Sequence, residues 1–297
     1  MTIPADQIEE WARQGDSTRP AWTEAVLREA LTDARRLKEI PYEIFLQGSY
    51  ANDTNLRHES DVDLVVSMRL PFEEDIARLD PLGLDLFWER YEETTYGWEE
   101  FRADVLATLK ERFFVAESNR CLDITDLDSL VRVPADVLPA IEFRRYHSIT
   151  LPFVEDYDEG VYFRTRSGHP IVNYPKIHLR NGRAKNARTR GRFKQVVRVM
   201  KNARKHESAG AEARKAPSYF VECLLYNVDD HCFLEPTLAA SYHACLTWLA
   251  SNDWSHVMCQ NEITELFGDR LEQWCVDECR ELVAALTRQW EEWGADA

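Results

Sequence analysis

The sequence predicts an α+β half followed by an all-helical half, and three observations lead to that prediction. Short apolar runs bounded by turn residues lie between helical patterns as far as residue 175. From about residue 190 onward, apolar residues recur at the spacing of α-helices. The 297 residues are enough for one large domain or two ordinary ones, and 44% of them are hydrophobic, so a sizeable core is expected.

The chain opens with one helix and two strands. Residues 20–39 place apolar side chains on one face at 3.6-residue spacing, and Pro41 stops the helix. The following YEIFLQGSY is a short apolar strand that ends in Gly48-Ser49. After a polar loop, DVDLVVSM is predicted as the second strand, because it is rich in β-branched residues and partly alternates.

The remaining elements follow from the same patterns. The acidic and aromatic segment 71–98 has no clear periodicity, and the very basic segment 176–192 is interpreted as a loop. Further strands are expected within 130–143 and 161–166, and helices at 99–114, 190–206, 217–228, 236–251, 260–267 and 269–292.

Composition and charge exclude several protein classes. Apolar content and nine Trp exclude disorder, and no run approaches the roughly 18–20 apolar residues of a membrane span. An acidic N-terminus without an apolar region and an odd count of seven Cys favour a cytoplasmic protein with buried thiols and no membrane partner. The net charge of −16 divides into +14 for residues 164–215 and −30 for the rest, which indicates a polyanion-facing surface on an acidic body.

Two carboxylates and a Gly-Ser pair are the most informative motifs. Asp61 and Asp63 are two residues apart at a strand start, so both side chains project from one face. Two such charges repel each other, and a pair of Mg²⁺ ions would relieve that repulsion and stabilise nucleotidyl transfer. Gly48 allows close backbone approach to a phosphate, and Ser49 supplies a hydroxyl and an N–H.

A third acid is expected from a neighbouring strand. Asp136 leads the apolar run VPADVLPAIEF and is the preferred candidate, as metal ligand and as acceptor of the proton from an attacking ribose hydroxyl. Its competitors are Asp123, Asp126, Asp128 and Glu142.

These motifs resemble a known enzyme family. GSY…ESDVDLVV, NRCLDI and PADVLPAIEFRRY resemble the DNA polymerase β-like nucleotidyltransferases. FKQVVRVMKNARKH and APSYFVECLLYNV narrow the resemblance to the cGAS/DncV-like nucleotidyltransferases. The resemblance implies a bilobed enzyme with its active site in the cleft. A core with a mixed sheet and an N-terminal bracing helix would span residues 1–175, and a helical lobe like that of oligoadenylate synthase would span 176–297.

The resemblance also implies roles for individual residues. Asp61, Asp63 and Asp136 match a catalytic triad that holds two Mg²⁺ ions, with Mn²⁺ as an alternative. The matching nucleotide-binding residues are Gly48, Ser49, Lys201, Ser218 and Tyr219, with Lys201 and Ser218 on the triphosphate and Tyr219 stacked on a base.

The residues themselves leave other interpretations open for the second group. Lys201 belongs to a basic stripe with Lys194, Arg198 and Lys205, which would suit a triphosphate or an ordinary solvated face. Ser218 stands where a helix N-cap is expected, and Glu222 would complete a capping box. Tyr219 would suit a core position equally well.

The implied activity is synthesis of a cyclic di- or trinucleotide second messenger from nucleoside triphosphates, with release of pyrophosphate, in bacterial antiphage signalling. Two alternatives stay open: a nucleotidyltransferase acting on RNA 3′ ends or on a protein, and a catalytically dead nucleotide-binding regulator. The basic segment 176–192 would line the cleft, guide a linear intermediate or contact a regulatory protein or ligand. The acidic remainder and the absence of a recognisable zinc-ligand cluster argue against long duplex DNA as a partner.

Overall fold

The chain folds into two compact units. The computed structural model describes residues 2–57, 61–92, 94–125, 131–254, 256–270 and 272–294. One unit, here called the sheet unit, contains the described residues between 17 and 47 and between 61 and 177. The other, the helical unit, contains residues 2–16, 48–57 and the described residues from 178 onward. The predicted domain boundary between residues 175 and 176 stays a prediction.

The sheet unit is built on a seven-stranded mixed sheet. Strands β1, β2, β5, β4 and β3 lie side by side in that order, β6 pairs with β5, and β7 pairs with β6. The β2–β5 pair is parallel and the others are antiparallel. The strands are β1 Tyr42–Gln47, β2 Val62–Asp75, β3 Ala116–Glu117, β4 Leu122–Ile124, β5 Ala135–Thr150, β6 Val154–Arg164 and β7 Pro170–Asn173.

Eleven α-helical segments accompany these strands in the described part of the chain. Together with the mixed sheet they confirm the predicted α+β fold with helices in the C-terminal part. The helices are α1 Ala5–Trp11, α2 Thr18–Thr32, α3 Gly48–Ala51, α4 Pro81–Arg90, α5 Trp98–Lys110, α6 Pro175–Arg188, α7 Arg192–Lys205, α8 Gly210–Lys215, α9 Ser218–Tyr226, α10 Leu238–Ser251 and α11 Val276–Glu291.

Several local predictions were wrong. The basic segment 176–192 is mostly helix α6, not a loop. The segment 260–267 forms turns and a bridge between Met258 and Glu265 instead of a helix. Part of the unordered segment 71–98 extends strand β2 to Asp75, and part forms helix α4.

Strand β2 is the centre of the sheet unit's core. Leu64, Val65 and Val66 are completely buried, although neighbouring side chains of a strand point to opposite faces. Helix α5 covers the sheet, and Trp98 donates its indole N–H to the Pro139 carbonyl oxygen at 2.9 Å. Both faces of the strand are therefore covered, which holds its N-terminal end in a fixed register.

Helix α7 is the centre of the helical unit. Its buried residues include Phe193 and Met200, and they also include four cationic side chains. Those four are Lys194, Arg198, Lys201 and Arg204. A buried cation needs acceptors close by, so this helix must be surrounded by carbonyl or carboxylate oxygens. In the described part of the chain, no helix is both long and apolar enough to span a membrane.

Candidate active site

Three acidic residues, Asp63, Asp136 and Asp123, lie side by side on neighbouring strands of the sheet unit. Together with Asp61 they are here called the acidic row. In the strand register Gln47 pairs with Asp63, Asp63 pairs with Asp136, and Asp136 pairs with Asp123. Residues opposite each other in a register project from the same face of a sheet, and Asp61 precedes Asp63 by two positions. The structure therefore brings Asp63 and Asp136 together as adjacent strand partners, and it places the competitor Asp123 on the other side of Asp136.

Burial and nearby carboxylates raise pKa values in the acidic row and beside it. Burial, followed by the charges of Asp123 and Asp61, raises the pKa of Asp136 to about 6. Burial also raises the pKa of the neighbouring Cys121 thiol to about 12, with Asp136 and Asp63 adding to the effect. Negative charge is concentrated here, which is typical of carboxylates gathered for a function.

The other candidates for the third acid are placed differently. Glu142 is 1% exposed and accepts hydrogen bonds from Arg144 at 2.7 Å and from Arg69 at 3.3 Å. That carboxylate is neutralised by its own pair of guanidinium groups. Asp126 and Asp128 lie outside the described residues.

The acidic row fits a hard divalent cation that takes some of its ligands from these carboxylates and the others from a substrate. Within the described ranges, no three His, Cys, Asp or Glu side chains converge closely enough to hold a metal by themselves. Mg²⁺ is commonly bound by one or two carboxylates together with substrate phosphates, so a complete protein cage is not required. The carboxylates of Asp61, Asp63 and Asp136 offer oxygen ligands. Burial, followed by the charges of Asp123 and Asp61, raises the pKa of Asp136, and a bound cation would oppose that shift.

The raised pKa of Asp136 gives a prediction for the metal-free protein. Because the pKa is higher in the folded state than in the unfolded state, folding binds protons between the two values, and stability falls as pH rises through about 6. In the presence of a chelator, we expect the Tm to drop more between about pH 5 and about pH 7 in the wild type than in Asp136→Asn. Parallel Tm curves for the two proteins would contradict the assignment.

The Gly48-Ser49 pair forms a tight turn in the helical unit. Gly48 has φ +68°, a conformation that favours glycine, and it begins the helical turn α3. Asn52 donates both its backbone and its side-chain N–H to the Gly48 carbonyl oxygen, and the Thr54 N–H donates to the Ser49 carbonyl oxygen at 2.9 Å. The Ser49 hydroxyl makes no hydrogen bond with any residue that the structure describes, so its O–H can serve a ligand.

Lys201 lies in a buried polar cluster with Thr54, the residue whose backbone N–H closes this turn. Its side chain is 1% exposed, and its ammonium contacts a Glu222 carboxylate oxygen, the Thr54 hydroxyl at 3.0 Å and the Thr54 carbonyl oxygen at 3.3 Å. The second carboxylate oxygen of Glu222 lies 3.3 Å from Nε2 of His178. The expectation that Lys201 contacts a triphosphate stays a prediction, and in this structure its three N–H donors face protein acceptors.

Ser218 is the first residue of helix α9, and the expected N-cap role was wrong. Pro217 occupies the cap position, and no side chain caps the helix. The Ser218 hydroxyl oxygen accepts a hydrogen bond from Arg204 at 2.9 Å, which leaves its own O–H free to donate to a phosphate. The expected capping box was also wrong, because Glu222 is bound to Lys201 instead.

Tyr219 has a buried hydroxyl group and a partly exposed ring. The side chain is 42% exposed, and its ring stacks on that of His178 at 5.2 Å between centroids and 24° between planes. Burial, together with the thiols of Cys223 and Cys259, raises the pKa of the Tyr219 hydroxyl. An aromatic ring held rigidly with part of its surface exposed can stack on a nucleobase.

Glu222 and His178 are the residues whose contacts the sequence interpretation missed. One signal could have identified Glu222, because it is an acid inside the otherwise apolar helix sequence SYFVECLLY. A carboxylate buried in such a helix requires a cationic partner. His178 has no comparable signal, since it lies in a basic segment without apolar periodicity.

Comparisons with known proteins agree with these features. Residues 27–157 match a family model described as a nucleotidyltransferase domain, and residues 180–291 match the C-terminal helical domain of cGAS/DncV-like nucleotidyltransferases. The cyclic UMP-AMP synthase of Rhodothermus marinus is 35% identical over 99% of this chain and 100% of its own length. A cyclic nucleotide synthase, CdnE01, of Staphylococcus haemolyticus is 33% identical over 99% of this chain and 100% of its own length.

A solved structure extends the agreement to the fold. The Rhodothermus marinus CdnE c-UMP-AMP synthase with Apcpp and Upnpp superposes with a TM-score of 0.87 at 34% identity, covering 99% of each chain. Both family models, the full-length relatives and the acidic row lead to the same assignment. The chain belongs to the cGAS/DncV-like nucleotidyltransferases.

Proposed function

We propose that this chain joins nucleoside triphosphates into a cyclic di- or trinucleotide. The observation that carries the proposal is the register that sets Asp63 beside Asp136, with Asp61 two residues before Asp63. The relatives named as cyclic nucleotide synthases support it, since they match the chain over its full length. Because the Rhodothermus marinus relative is named for UMP and AMP, UTP and ATP are the first substrates to test.

The proposed reaction forms one phosphodiester bond in each round. A ribose hydroxyl oxygen of one nucleotide bonds to the α-phosphorus of another, the bond from that phosphorus to the bridging oxygen breaks, and pyrophosphate leaves. Asp136 accepts the proton of the attacking hydroxyl, and its place beside Asp63 in the strand register sets it next to the other two acids. A second round closes the ring of a dinucleotide.

Asp61, Asp63 and Asp136 are the residues that would hold Mg²⁺, as two ions. When bound, Mg²⁺ would supply positive charge to the attacking and leaving oxygens. The carboxylates must be ionised when the nucleotides bind and must be fixed on the sheet, and the buried strand β2 provides that rigidity.

Nucleotide binding is assigned to the residues of the helical unit. We propose that Gly48 and Ser49 approach phosphate with backbone and hydroxyl groups, and that Ser218 donates its free O–H to the triphosphate. Tyr219 would stack on a base. Lys201 would act with this group, either by contacting phosphate or by holding the segment that follows the Gly-Ser turn.

The stacking role of Tyr219 gives a prediction with two variants. Base–aromatic stacking contributes about 1–3 kcal/mol, so Tyr219→Ala is expected to raise the KM for a nucleoside triphosphate about tenfold. Tyr219→Phe keeps the ring and is expected to stay within about twofold of the wild type. Steady-state kinetics measure both values. If the Phe variant were as impaired as the Ala variant, the hydroxyl and not the ring would carry the function.

The proposed function is tested by following the label of α-³²P nucleoside triphosphates, supplied singly and in pairs with Mg²⁺. We expect a small product that resists phosphatase, with one pyrophosphate released for each bond formed. Label transferred to added RNA or to the protein itself would support the rival macromolecular transferase. Absence of pyrophosphate release with every triphosphate mixture would support a catalytically inactive regulator.

A further inference from the structure

We propose that the basic face of helix α7, formed by Lys194, Arg198 and Lys201, positions the Gly48-Ser49 turn by binding the segment Asp53–Thr54 that follows the turn. Glu222 is the counter-ion that keeps Lys201 in place. This inference rests on the proposed function, since it assigns to the turn a role in phosphate binding. Glu222 and Lys201 are positioning residues in this proposal, because they act through Thr54.

Three cations one helical turn apart reach the same short segment. Lys194 Nζ lies 2.7 Å from the Asp53 carboxylate, and Arg198 Nη1 donates to the Asp53 carbonyl oxygen at 2.5 Å. Lys201 donates to the carbonyl and hydroxyl oxygens of Thr54. These three cations, spaced at i, i+4 and i+7 on helix α7, therefore bind a segment that lies more than 140 residues earlier in the sequence.

Thr54 transmits this contact to the turn itself. Its hydroxyl donates to Glu222 at 2.6 Å and accepts from Lys201, so the side chain is fixed on both sides. Its backbone N–H donates to the Ser49 carbonyl oxygen. Any displacement of Thr54 must therefore disturb the hydrogen bond that closes the Gly48-Ser49 turn.

Burial makes this cluster sensitive to the loss of one partner. Lys201 is 1% exposed and Glu222 is 4% exposed. Burial by itself would raise the pKa of Glu222, but the Lys201 ammonium and His178 outweigh it and lower the pKa to about 2. Burial lowers the pKa of the Lys201 ammonium, and the contact with Glu222 opposes that shift. Removal of either group therefore leaves the other one buried without its partner.

The geometry distinguishes this role from direct binding of a triphosphate by Lys201. An ammonium group has three N–H donors, and the Lys201 ammonium has three protein acceptors around it. Direct binding would make Glu222 a competitor of the phosphate, so removal of the Glu222 charge would improve nucleotide binding. Positioning requires Glu222, so the same change would weaken nucleotide binding.

The test compares Lys201→Met, Glu222→Gln, the double variant and Thr54→Val with the wild type. The matched control is Lys215→Met, which breaks an exposed pair with Glu212 in the same unit. Amide hydrogen exchange is measured on the protein without nucleotide, and the KM and kcat for nucleoside triphosphates are measured with Mg²⁺. Exchange at the amides of Asn52 and Thr54 is the direct readout, because these amides close the turn.

We expect each single variant to raise exchange at these two amides and the KM by about tenfold, with the control unchanged. The double variant is expected to be no worse than either single variant, since it leaves no unpaired charge. Thr54→Val keeps both ions and tests the link even if a charge variant fails to fold.

Unchanged exchange at Asn52 and Thr54 in Glu222→Gln and Thr54→Val would overturn the positioning role. So would a lower KM in Glu222→Gln, which would instead support direct contact of Lys201 with phosphate. Failure of the proposed function would look different: the wild type would make no cyclic product, while the exchange measurement, which needs no activity, would still decide the positioning role.

Discussion

Asp63→Asn is expected to lower cyclic nucleotide formation by about 10³-fold or more. The change keeps the size of the side chain but removes its charge from the acidic row, next to Asp136. Loss of one carboxylate that holds the cation would remove several kcal/mol of transition-state stabilisation, and each 1.36 kcal/mol corresponds to a factor of ten in rate. Product formation from labelled triphosphates measures the effect.

A matched control separates this effect from a general change in charge. Asp85 is an exposed carboxylate on helix α4 of the same sheet unit, so Asp85→Asn removes the same charge away from the row. We expect the control to keep wild-type activity and both variants to keep the wild-type Tm within a few degrees. An active Asp63→Asn enzyme would contradict the proposed site.

The second large effect is expected at Asp136, in contrast to its neighbour Asp123. Asp136→Asn should lower activity by about 10²-fold or more, because this carboxylate serves both as a cation ligand and as the proton acceptor. Asp123 lies one strand further from Asp63, and strands are about 4.8 Å apart. Asp123 is therefore two strand spacings from Asp63 and would not share a cation with it, so Asp123→Asn should cost about tenfold or less.

This comparison decides which of two adjacent acids is the third member of the triad. The two variants differ by one strand in a continuous register, so each serves as the control of the other. Single-turnover rates with saturating triphosphates measure the chemical step directly. A larger loss in Asp123→Asn than in Asp136→Asn would exchange the two assignments.

The acidic row could be predicted because its determinants are local in sequence. Alternation in a strand places Asp61 and Asp63 on one face, and an acid at the start of an apolar run indicated Asp136. The register that sets Asp136 between Asp63 and Asp123 depends on three separate strands. No spacing in the sequence determines it.

Helix α6 was missed because its buried side is polar. Asn181 and Lys185 recur at helical spacing and are both buried, but a search for apolar periodicity does not detect polar residues. The helix predicted at 260–267 was wrong for the opposite reason, because apolar residues suggested a helix where the segment forms turns. There the Asn261 side chain accepts hydrogen bonds from the backbone of Ile263 and Thr264, which stabilises a turn.

The basic stripe of helix α7 was recognised, but its partner was not. Spacing alone shows that Lys194, Arg198 and Lys201 share a face. It does not show that this face meets carbonyl and carboxylate oxygens of Asp53 and Thr54. In this structure these cations contact the segment that follows the Gly48-Ser49 turn, and the triphosphate contact of Lys201 stays a prediction.

The mass of the phosphatase-resistant product tests the central claim most directly. After incubation with UTP, ATP and Mg²⁺ and treatment with phosphatase, we expect a species whose mass equals the nucleoside monophosphates joined in a ring, without a terminal phosphate. Asp63→Asn should yield none of it. A wild-type product consisting only of linear chains that lose their terminal phosphates, or label found only on RNA or protein, would contradict cyclic nucleotide synthesis.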